Sequence, residues 1–248
     1  MINIYVMNVS PFEDSFLFSK GLSLIEKERQ DKVKHLKRED VKRLSLGAGL
    51  VLLYGLNHFL GQKDGNVKAV EDRKLPQKES ETVPAQSFEI GACEVVDSWD
   101  LSVMTNVFHY SYGPHGKPYV EGTNPIFFSL SHSGDYVLLA VSDKEIGADI
   151  QLRKDGELQR IAKHFMTQEE FQLWSEQPPA QQKELFYQIW AGKEAYLKLT
   201  GEGMTAGFQT VRLDAQRATM VDTRMPDKEV TTLWYEHEDY QIAICQFT

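Results

Sequence analysis

The hydrophobic pattern predicts a protein that mixes strands with long helices. Apolar residues alternate with polar ones over residues 2–9, which predicts a first strand. Apolar positions then recur with helical spacing over residues 22–60. Later apolar runs predict strands over residues 136–141 and 146–150. This order of elements indicates an α+β fold.

Helix boundaries are clearly marked in the second half of the chain. The Thr167-Gln168-Glu169-Glu170 run forms a capping box, which predicts a helix through about residue 175. A longer helix is predicted over about residues 181–199, and Gly201 is well placed to end it. Residues 230–235 and 240–245 predict a closing hairpin.

One segment differs in composition from its surroundings. Residues 62–87 combine charges of both signs with Pro76 and Pro84 and with few large apolar groups. Such a segment cannot bury enough surface to offset the entropy lost on ordering, so we predict a mobile insertion there. The α+β pattern occurs roughly twice, once on each side of residue 115, which predicts two halves, 1–115 and 116–248.

The charge of the chain limits the kinds of molecule that the protein is expected to bind. The chain has 248 residues, enough for one large domain or two small ones. Its net charge of −9 disfavours nucleic-acid binding, which depends on neutralising phosphates. Residues 26–43 nevertheless hold 8 of the 27 Lys and Arg residues against 5 acids. This cluster fits either a solvated helix face or a site for a compact polyanion such as a phosphorylated cofactor.

The chain has the features of a cytoplasmic protein. Cys93 and Cys245 form neither a disulfide framework nor a metal-ligand spacing. The first residues lack a basic stretch followed by an apolar run, so we expect no signal peptide. No apolar stretch reaches the ~18 residues that a membrane span needs. We therefore expect a cytoplasmic monomer with no membrane partner and no nucleic-acid partner.

Asp149 is a carboxylate in an otherwise apolar strand. Alternation places it with Gly147 on the face opposite Ile146, Ala148 and Ile150. It is either an ordinary solvent-facing residue or a metal ligand beside which Gly147 leaves room for a bound molecule. Magnesium needs only one or two protein carboxylates when phosphates and water complete its coordination.

Two further clusters carry groups that suit phosphate chemistry. Trp190, Glu194 and Lys198 share one helix face, where the last two form either a surface salt bridge or part of a site with Asp149. Ser131-His132-Ser133 is predicted to be a turn after a strand, either a plain turn or one whose donors bind phosphate. The Gly-x-Ser-x-Gly elbow of a serine hydrolase is absent from the sequence.

In their order and spacing, these clusters resemble the Sfp-type 4′-phosphopantetheinyl transferases. The matching motifs are Gly116-Lys117-Pro118, Phe128-Ser129-Leu130-Ser131-His132-Ser133, Gly147-Ala148-Asp149, the Trp190–Lys198 segment and Gly201-Glu202-Gly203, with a fainter match over residues 37–43. The resemblance implies a pseudo-dimeric α+β fold with coenzyme A bound between two similar halves. It also implies transfer of phosphopantetheine from coenzyme A to a serine of an apo acyl or peptidyl carrier protein, with release of 3′,5′-ADP.

The resemblance implies a magnesium site in the second half. Asp149 and Glu194 match the family's metal ligands, and Glu194 or water on the metal would take the serine proton. The family often has Glu two residues after the strand Asp, whereas this chain has Gln151. An amide brings no negative charge, so the resemblance implies Gln151 only as a neutral ligand or as the holder of a metal-bound water.

The resemblance also implies a set of cofactor contacts. Lys198 matches a lysine on the phosphates and, with Glu194, belongs to the implied catalytic pair. Ser131 and His132 match cofactor-contacting positions, with His132 near the 3′-phosphate. Lys117 and Arg43 match further basic contacts to the phosphates. Lys193 also matches the family motif and is interpreted as a residue whose role is structural.

Two other interpretations remain open at the level of sequence. The first is a protein that binds coenzyme A or a carrier protein without transferring anything, with Gln151 as the reason to consider it. The second is an unrelated α+β scaffold in which the ordered motifs coincide by chance. Met204 and Phe208 are predicted to form an apolar docking patch for a carrier protein, with core packing as the alternative.

Overall fold

The computed structural model describes residues 1–63, 90–95, 108–122, 126–203 and 207–248, with the backbone alone described for 90–95. Nearly all of the insertion predicted at 62–87, and Met204 of the predicted docking patch, lie outside these residues.

Strands and helices occur in groups along the described chain: β1 is followed by three helices, six strands, three more helices and four final strands. The strands are β1 (Ile2–Asn8), β2 (Ile90–Val95), β3 (Tyr110–Tyr112), β4 (Pro118–Val120), β5 (Phe127–Ser133), β6 (Tyr136–Ser142), β7 (Ile146–Leu152), β8 (Val211–Asp214), β9 (Thr219–Asp222), β10 (Val230–His237) and β11 (Tyr240–Phe247). The helices are α1 (Ser15–Leu24), α2 (Lys27–His35), α3 (Glu39–Lys63), α4 (Leu158–Phe165), α5 (Gln168–Ser175) and α6 (Pro179–Thr200), with a short 3-10 turn over Ser10–Glu13.

Two sheets organise these elements. The first has the strand order β2-β1-β6-β5, in which β1 and β2 run parallel and the other pairs antiparallel. The second is the antiparallel sheet β10-β11-β7. Strands β3 and β4 form a separate hairpin, as do β8 and β9.

The two sheets pack face to face, and each carries a long helix on its other face. Ile2, Ile4 and Val6 of β1 share a buried cluster with Ile146 and Ala148 of β7, because alternate side chains of a strand point to one face. On the outer side of the first sheet, α3 forms a core with β1 and β6. On the outer side of the second sheet, α6 packs against β7 and β11. The predicted α+β fold class is confirmed.

The division between the sheets lies later in the chain than the boundary predicted at residue 115. Strands β5 and β6 follow residue 115, yet β6 pairs with β1 in the register Ile2↔Ser142. The chain therefore passes from the first sheet to the second between Ser142 and Ile146. Element order alone does not reveal this, because the pairing joins strands more than a hundred residues apart.

The predicted helix over residues 22–60 is divided in the structure. Helix α1 ends at Leu24 and α2 ends at His35, and the residues that follow them, Ile25 and Leu36, adopt extended backbone. Apolar spacing continues across these breaks because Ile25 and Val33 still reach the same buried core as α3. Among the described residues, α3 has the length and mean hydropathy of a membrane span, but 67% of that window is buried within the fold.

Candidate active site

Serine side chains of β5 join the two sheets. Ser129 Oγ accepts a hydrogen bond of 2.9 Å from the Ala148 amide, and Ser133 Oγ accepts one of 3.0 Å from the Leu152 amide. These hydroxyls bind the backbone of β7, which belongs to the second sheet. The turn predicted at residues 131–133 is wrong: β5 continues through Ser133, which pairs with Tyr136 of β6, and the turn lies at residues 134–135. The sequence predicts no such role for Ser129 or Ser133, although serines at alternate positions of a strand are a visible signal.

Asp149 lies on this seam and is the centre of a hydrogen-bonded cluster. Its side chain is only 1% exposed, which excludes the ordinary solvent-facing interpretation. Oδ1 accepts from Ser131 Oγ at 2.6 Å and from Lys198 Nζ at 2.6 Å. Lys198 Nζ also donates to Ser131 Oγ at 2.8 Å, and Gln151 Nε2 donates to Asp149 Oδ2 at 3.0 Å. The first sheet thus supplies Ser131, the second sheet supplies Asp149 and Gln151, and α6 supplies Lys198.

Gly147 fits the backbone of α6 rather than a ligand. A Cβ atom at this position would lie 2.0 Å from the Ala195 carbonyl oxygen and 2.3 Å from the Leu199 amide nitrogen. The interpretation that Gly147 leaves room for a bound molecule is therefore wrong. Its missing side chain lets α6 approach β7 closely, and this approach brings Glu194 and Lys198 to Asp149.

Glu194 is a buried carboxylate next to Asp149. It is 5% exposed, so it is no part of a surface salt bridge, and Lys198 turns to Asp149 instead. Burial raises the pKa of Glu194 to about 7; the neighbouring Asp149 adds to this rise, and Lys198 opposes it. Two carboxylates and one ammonium group therefore share a largely desolvated space.

The three basic residues that the resemblance implies as further cofactor contacts have different surroundings. They are His132, Arg43 and Lys117. His132 is exposed, and desolvation together with the nearby Lys198 lowers its pKa. Arg43 pairs with Glu13 at 3.3 Å. Lys117 Nζ donates to Glu145 at 2.7 Å and to the Leu199 carbonyl at 2.9 Å. Within the described ranges, neither Arg43 nor Lys117 hydrogen-bonds to the Asp149 cluster.

Lys193 supports the site from the other side of α6. It is fully buried, forms an ion pair of 2.6 Å with Glu170, and donates to the backbone carbonyls of Phe165 and Phe208. Burial lowers the pKa of Lys193, and Glu170 opposes that shift. Glu170 also completes the predicted capping box with Thr167, which is confirmed.

Phe208 is half-buried and packs against the core. Its ring lies 5.6 Å from that of Trp190 and 6.2 Å from that of Phe165, measured between centroids. The alternative of core packing therefore holds for Phe208, and the proposed docking patch loses one of its two residues.

The donors at the seam suit a hard divalent cation. Within the part of the chain that the structure describes, no group of three or more His, Cys, Asp and Glu side chains is arranged to hold a metal ion. Asp149 and Glu194 nevertheless provide two neighbouring carboxylates whose repulsion a cation would relieve, as the raised pKa of Glu194 indicates. This set fits magnesium when substrate oxygens and water supply the remaining ligands.

Comparisons with known proteins identify the same part of the chain. Residues 145–245 match the family described as the 4′-phosphopantetheinyl transferase superfamily. The 4′-phosphopantetheinyl transferase psf-1 of Bacillus pumilus is 36% identical over 134 residues, covering 53% of this chain and 57% of that protein. The 4′-phosphopantetheinyl transferase gsp of Aneurinibacillus migulanus is 30% identical over 135 residues, which are 53% of this chain and 55% of that protein.

The similarity extends to the relative after which the resemblance is named. The 4′-phosphopantetheinyl transferase Sfp of Bacillus subtilis is 27% identical over 139 residues, covering 55% of this chain and 62% of that protein. In each case the match spans somewhat more than half the length of the relative. The resemblance to the Sfp-type enzymes is thereby confirmed, and residues 145–245 match the 4′-phosphopantetheinyl transferase superfamily.

Proposed function

We propose that this protein transfers 4′-phosphopantetheine from coenzyme A to a serine of an apo acyl or peptidyl carrier protein. The serine oxygen forms a bond to the phosphorus that carries pantetheine, and the bond from that phosphorus to the bridging oxygen of the diphosphate breaks. The products are the holo carrier protein and 3′,5′-ADP, and the serine proton passes to a base. The observation that supports this most directly is the buried cluster of Asp149, Glu194 and Lys198 on the seam between the sheets.

The cluster suits phosphoryl transfer because that reaction depends mainly on positioning and charge neutralisation. Asp149 and Glu194 would hold magnesium, and Gln151 would contribute through its amide. Magnesium supplies neutralisation of the diphosphate charge and of the leaving phosphate oxygen. Ser131 orients Asp149 through their 2.6 Å hydrogen bond.

Lys198 would bind the phosphates of the substrate. Its side chain is 30% exposed, whereas that of Asp149 is 1% exposed, so the ammonium group can leave the carboxylate and reach a ligand in the seam. The exposed His132, and Arg43 at the start of α3, would contact the 3′-phosphate and the other phosphates.

Glu194 is a suitable base for the serine proton. Burial raises the pKa of Glu194 to about 7 in the metal-free protein, and bound magnesium would lower it again, so the carboxylate form that accepts the proton is favoured when the metal is present. A water molecule held in the seam is the other candidate for this role.

A second candidate function is binding of coenzyme A or of a carrier protein without transfer. Gln151 is the feature that favours it, since the amide already donates to Asp149 and adds no negative charge for a metal. The expected cytoplasmic location and monomeric state apply equally to both functions.

The test is incubation of purified protein with coenzyme A, magnesium and a panel of apo carrier proteins, followed by mass spectrometry. We expect a carrier protein to gain the mass of phosphopantetheine, and a carrier with its target serine replaced by alanine to gain nothing. Asp149→Ala and Glu194→Ala should each remove most turnover, whereas Glu169→Gln on the exposed face of α5 should not. Binding of coenzyme A without any mass gain across the panel would favour the second function.

A further inference from the structure

Lys117 lies between β3 and β4, next to the candidate site. Its own carbonyl accepts a 2.9 Å hydrogen bond from the Gly113 amide, which closes the loop between β3 and β4. Tyr110 and Val120 in the two strands of this hairpin pack against the core of the first sheet and α3. The hairpin that contains Lys117 therefore packs with the first sheet and α3.

The side chain of Lys117 contacts residues next to the second sheet and in α6. Its ammonium group pairs with Glu145 at 2.7 Å and donates to the Leu199 carbonyl at 2.9 Å, and the side chain is 10% exposed. Its Nζ also lies 5.7 Å from the centroid of the Tyr119 ring. The ammonium group thus hydrogen-bonds to a carboxylate and a carbonyl and lies near an aromatic ring.

These two partners belong to the elements that carry the candidate site. Glu145 immediately precedes β7, which holds Asp149, and Leu199 lies in the last turn of α6, which holds Glu194 and Lys198. The carbonyls of a last helical turn lack partners within the helix, and a cation there is favoured by the helix dipole. One ammonium group therefore ties the start of β7 to the end of α6.

The backbones of β7 and α6 are in close contact in this region. A Cβ atom on Gly147 would lie only 2.3 Å from the amide nitrogen of Leu199, the residue whose carbonyl Lys117 binds. A small displacement of the end of α6 would therefore change the spacing between the carboxylates of Asp149 and Glu194.

We propose that Lys117 is a positioning residue, which holds β7 and α6 at the spacing that the candidate magnesium site requires, and that it does not bind the phosphates of coenzyme A. This proposal rests on the proposed function and revises the phosphate contact that the family resemblance implies for Lys117.

The two roles give opposite expectations for Glu145. If Lys117 serves phosphate, Glu145 competes for its ammonium group, and Glu145→Gln should tighten the binding of coenzyme A. If Lys117 positions the site, Glu145→Gln removes the ion pair between Lys117 and the residue before β7. It should then impair the site as Lys117→Met does. Lys144→Met and Glu121→Gln change exposed residues nearby and serve as matched controls.

The experiment measures magnesium binding by calorimetry on the ligand-free variants. We expect Lys117→Met and Glu145→Gln each to weaken magnesium binding about tenfold, as removal of supporting groups around a metal site does. The double variant should lose no more than either single one, and Lys117→Arg should recover part of the loss. The preference for coenzyme A over dephospho-coenzyme A should stay unchanged in Lys117→Met.

Amide hydrogen exchange on the ligand-free protein separates failure of this proposal from failure of the proposed function. Exchange at Lys198–Gly201 should accelerate in both single variants, whether or not the protein is a transferase. Wild type that binds neither magnesium nor coenzyme A would overturn the proposed function and the positioning role with it. Wild type that binds both, with normal magnesium affinity in Lys117→Met or tighter coenzyme A binding in Glu145→Gln, would overturn the positioning role alone.

Discussion

At the scale of single residues, the main feature of the candidate site is that more than one cation can bind the carboxylate of Asp149. Its Oδ1 atom accepts from both Ser131 and Lys198, and the ammonium group of Lys198 occupies a position where a metal cation would also be favoured. Lys198 and magnesium therefore compete for one carboxylate, while both attract the same phosphates.

Lys198→Met should bind magnesium more tightly than wild type does when no coenzyme A is present. We expect a gain of roughly tenfold, since neighbouring charges near a protein surface interact by about 1–4 kcal/mol. The same variant should bind coenzyme A more weakly. Calorimetric titration with magnesium alone and then with coenzyme A measures both effects, with the exposed Lys163→Met as control. Weaker magnesium binding by Lys198→Met would contradict the competition.

Glu194 should make the stability of the metal-free protein depend on pH. Its pKa rises from 4.5 to about 7 on folding, so the folded state holds this proton more tightly than the unfolded chain does. The free energy of unfolding should therefore fall as pH increases through this window, by on the order of 3 kcal/mol at most.

Glu194→Gln should remove that loss. We expect the variant to be more stable than wild type at pH 8 without magnesium and little different at pH 4.5, as followed by urea unfolding. Added magnesium should stabilise wild type and leave the variant unchanged. An equal difference between the two proteins at both pH values would show that Glu194 does not carry the effect.

At the scale of elements, the site depends on how α6 lies against β7 and against the helices before it. Gly147 admits the backbone of α6 on one side. On the other, Lys193 and Glu170 fasten α6 to the start of α5, while the Lys193 ammonium also holds the carbonyls at the end of α4 and at Phe208. The two contacts fix the rotation of the helix that presents Glu194 and Lys198.

Gly147→Ala should separate α6 from β7. The added methyl group has no space beside the Ala195 carbonyl, so we expect a loss of at least the roughly 1–3 kcal/mol typical of overpacking, together with weaker magnesium binding. Urea unfolding and calorimetry measure the two losses. Gly156→Ala is the matched control because its Cβ meets nothing within 4 Å. Normal stability in Gly147→Ala would mean that α6 is free to shift.

Lys193→Met should destabilise the protein by roughly 3–5 kcal/mol, because it leaves the buried Glu170 carboxylate without its cation. The double variant Lys193→Met/Glu170→Gln should lose less, since the buried charge is gone. Chemical denaturation of the three proteins tests this order. A double variant that is less stable than Lys193→Met would show that hydrogen bonds, not charge, decide the contribution of Glu170.

At the scale of the whole molecule, the candidate site is built across the packing of two sheets. Ser131 comes from the first sheet, whereas Asp149 comes from the second, and the serine hydroxyls of β5 hold the two edges together. None of the strands and helices that carry the site lies between Lys63 and Ile90.

A protein in which residues 64–84 are replaced by a short Gly-Ser linker should therefore retain its site. We expect its affinities for magnesium and coenzyme A to lie within about twofold of wild type, because the segment has the composition of a chain that forms no core. Calorimetry measures both affinities, and circular dichroism controls for folding. A large loss of coenzyme A affinity with an intact fold would show that the deleted residues contribute to the site.

The sequence by itself determined the features that depend on neighbours along the chain. Strand alternation put Gly147 and Asp149 on one face, helical spacing put Glu194 and Lys198 on another, and the capping box at Thr167 and the end at Gly201 followed from local hydrogen bonding. These results hold because backbone geometry repeats every two or 3.6 residues whatever surrounds the element.

Only the tertiary structure decided which of these groups meet. Lys198 pairs with Asp149, 49 residues away, instead of with Glu194 one turn before it, and Ser131 reaches Asp149 over 18 residues. Lys117 binds Glu145 and the end of α6, and β5 and β6 join the first sheet. Such partners are chosen by the packing of two sheets and two long helices, in which burial makes each polar group find the nearest available partner, and no local pattern records that choice.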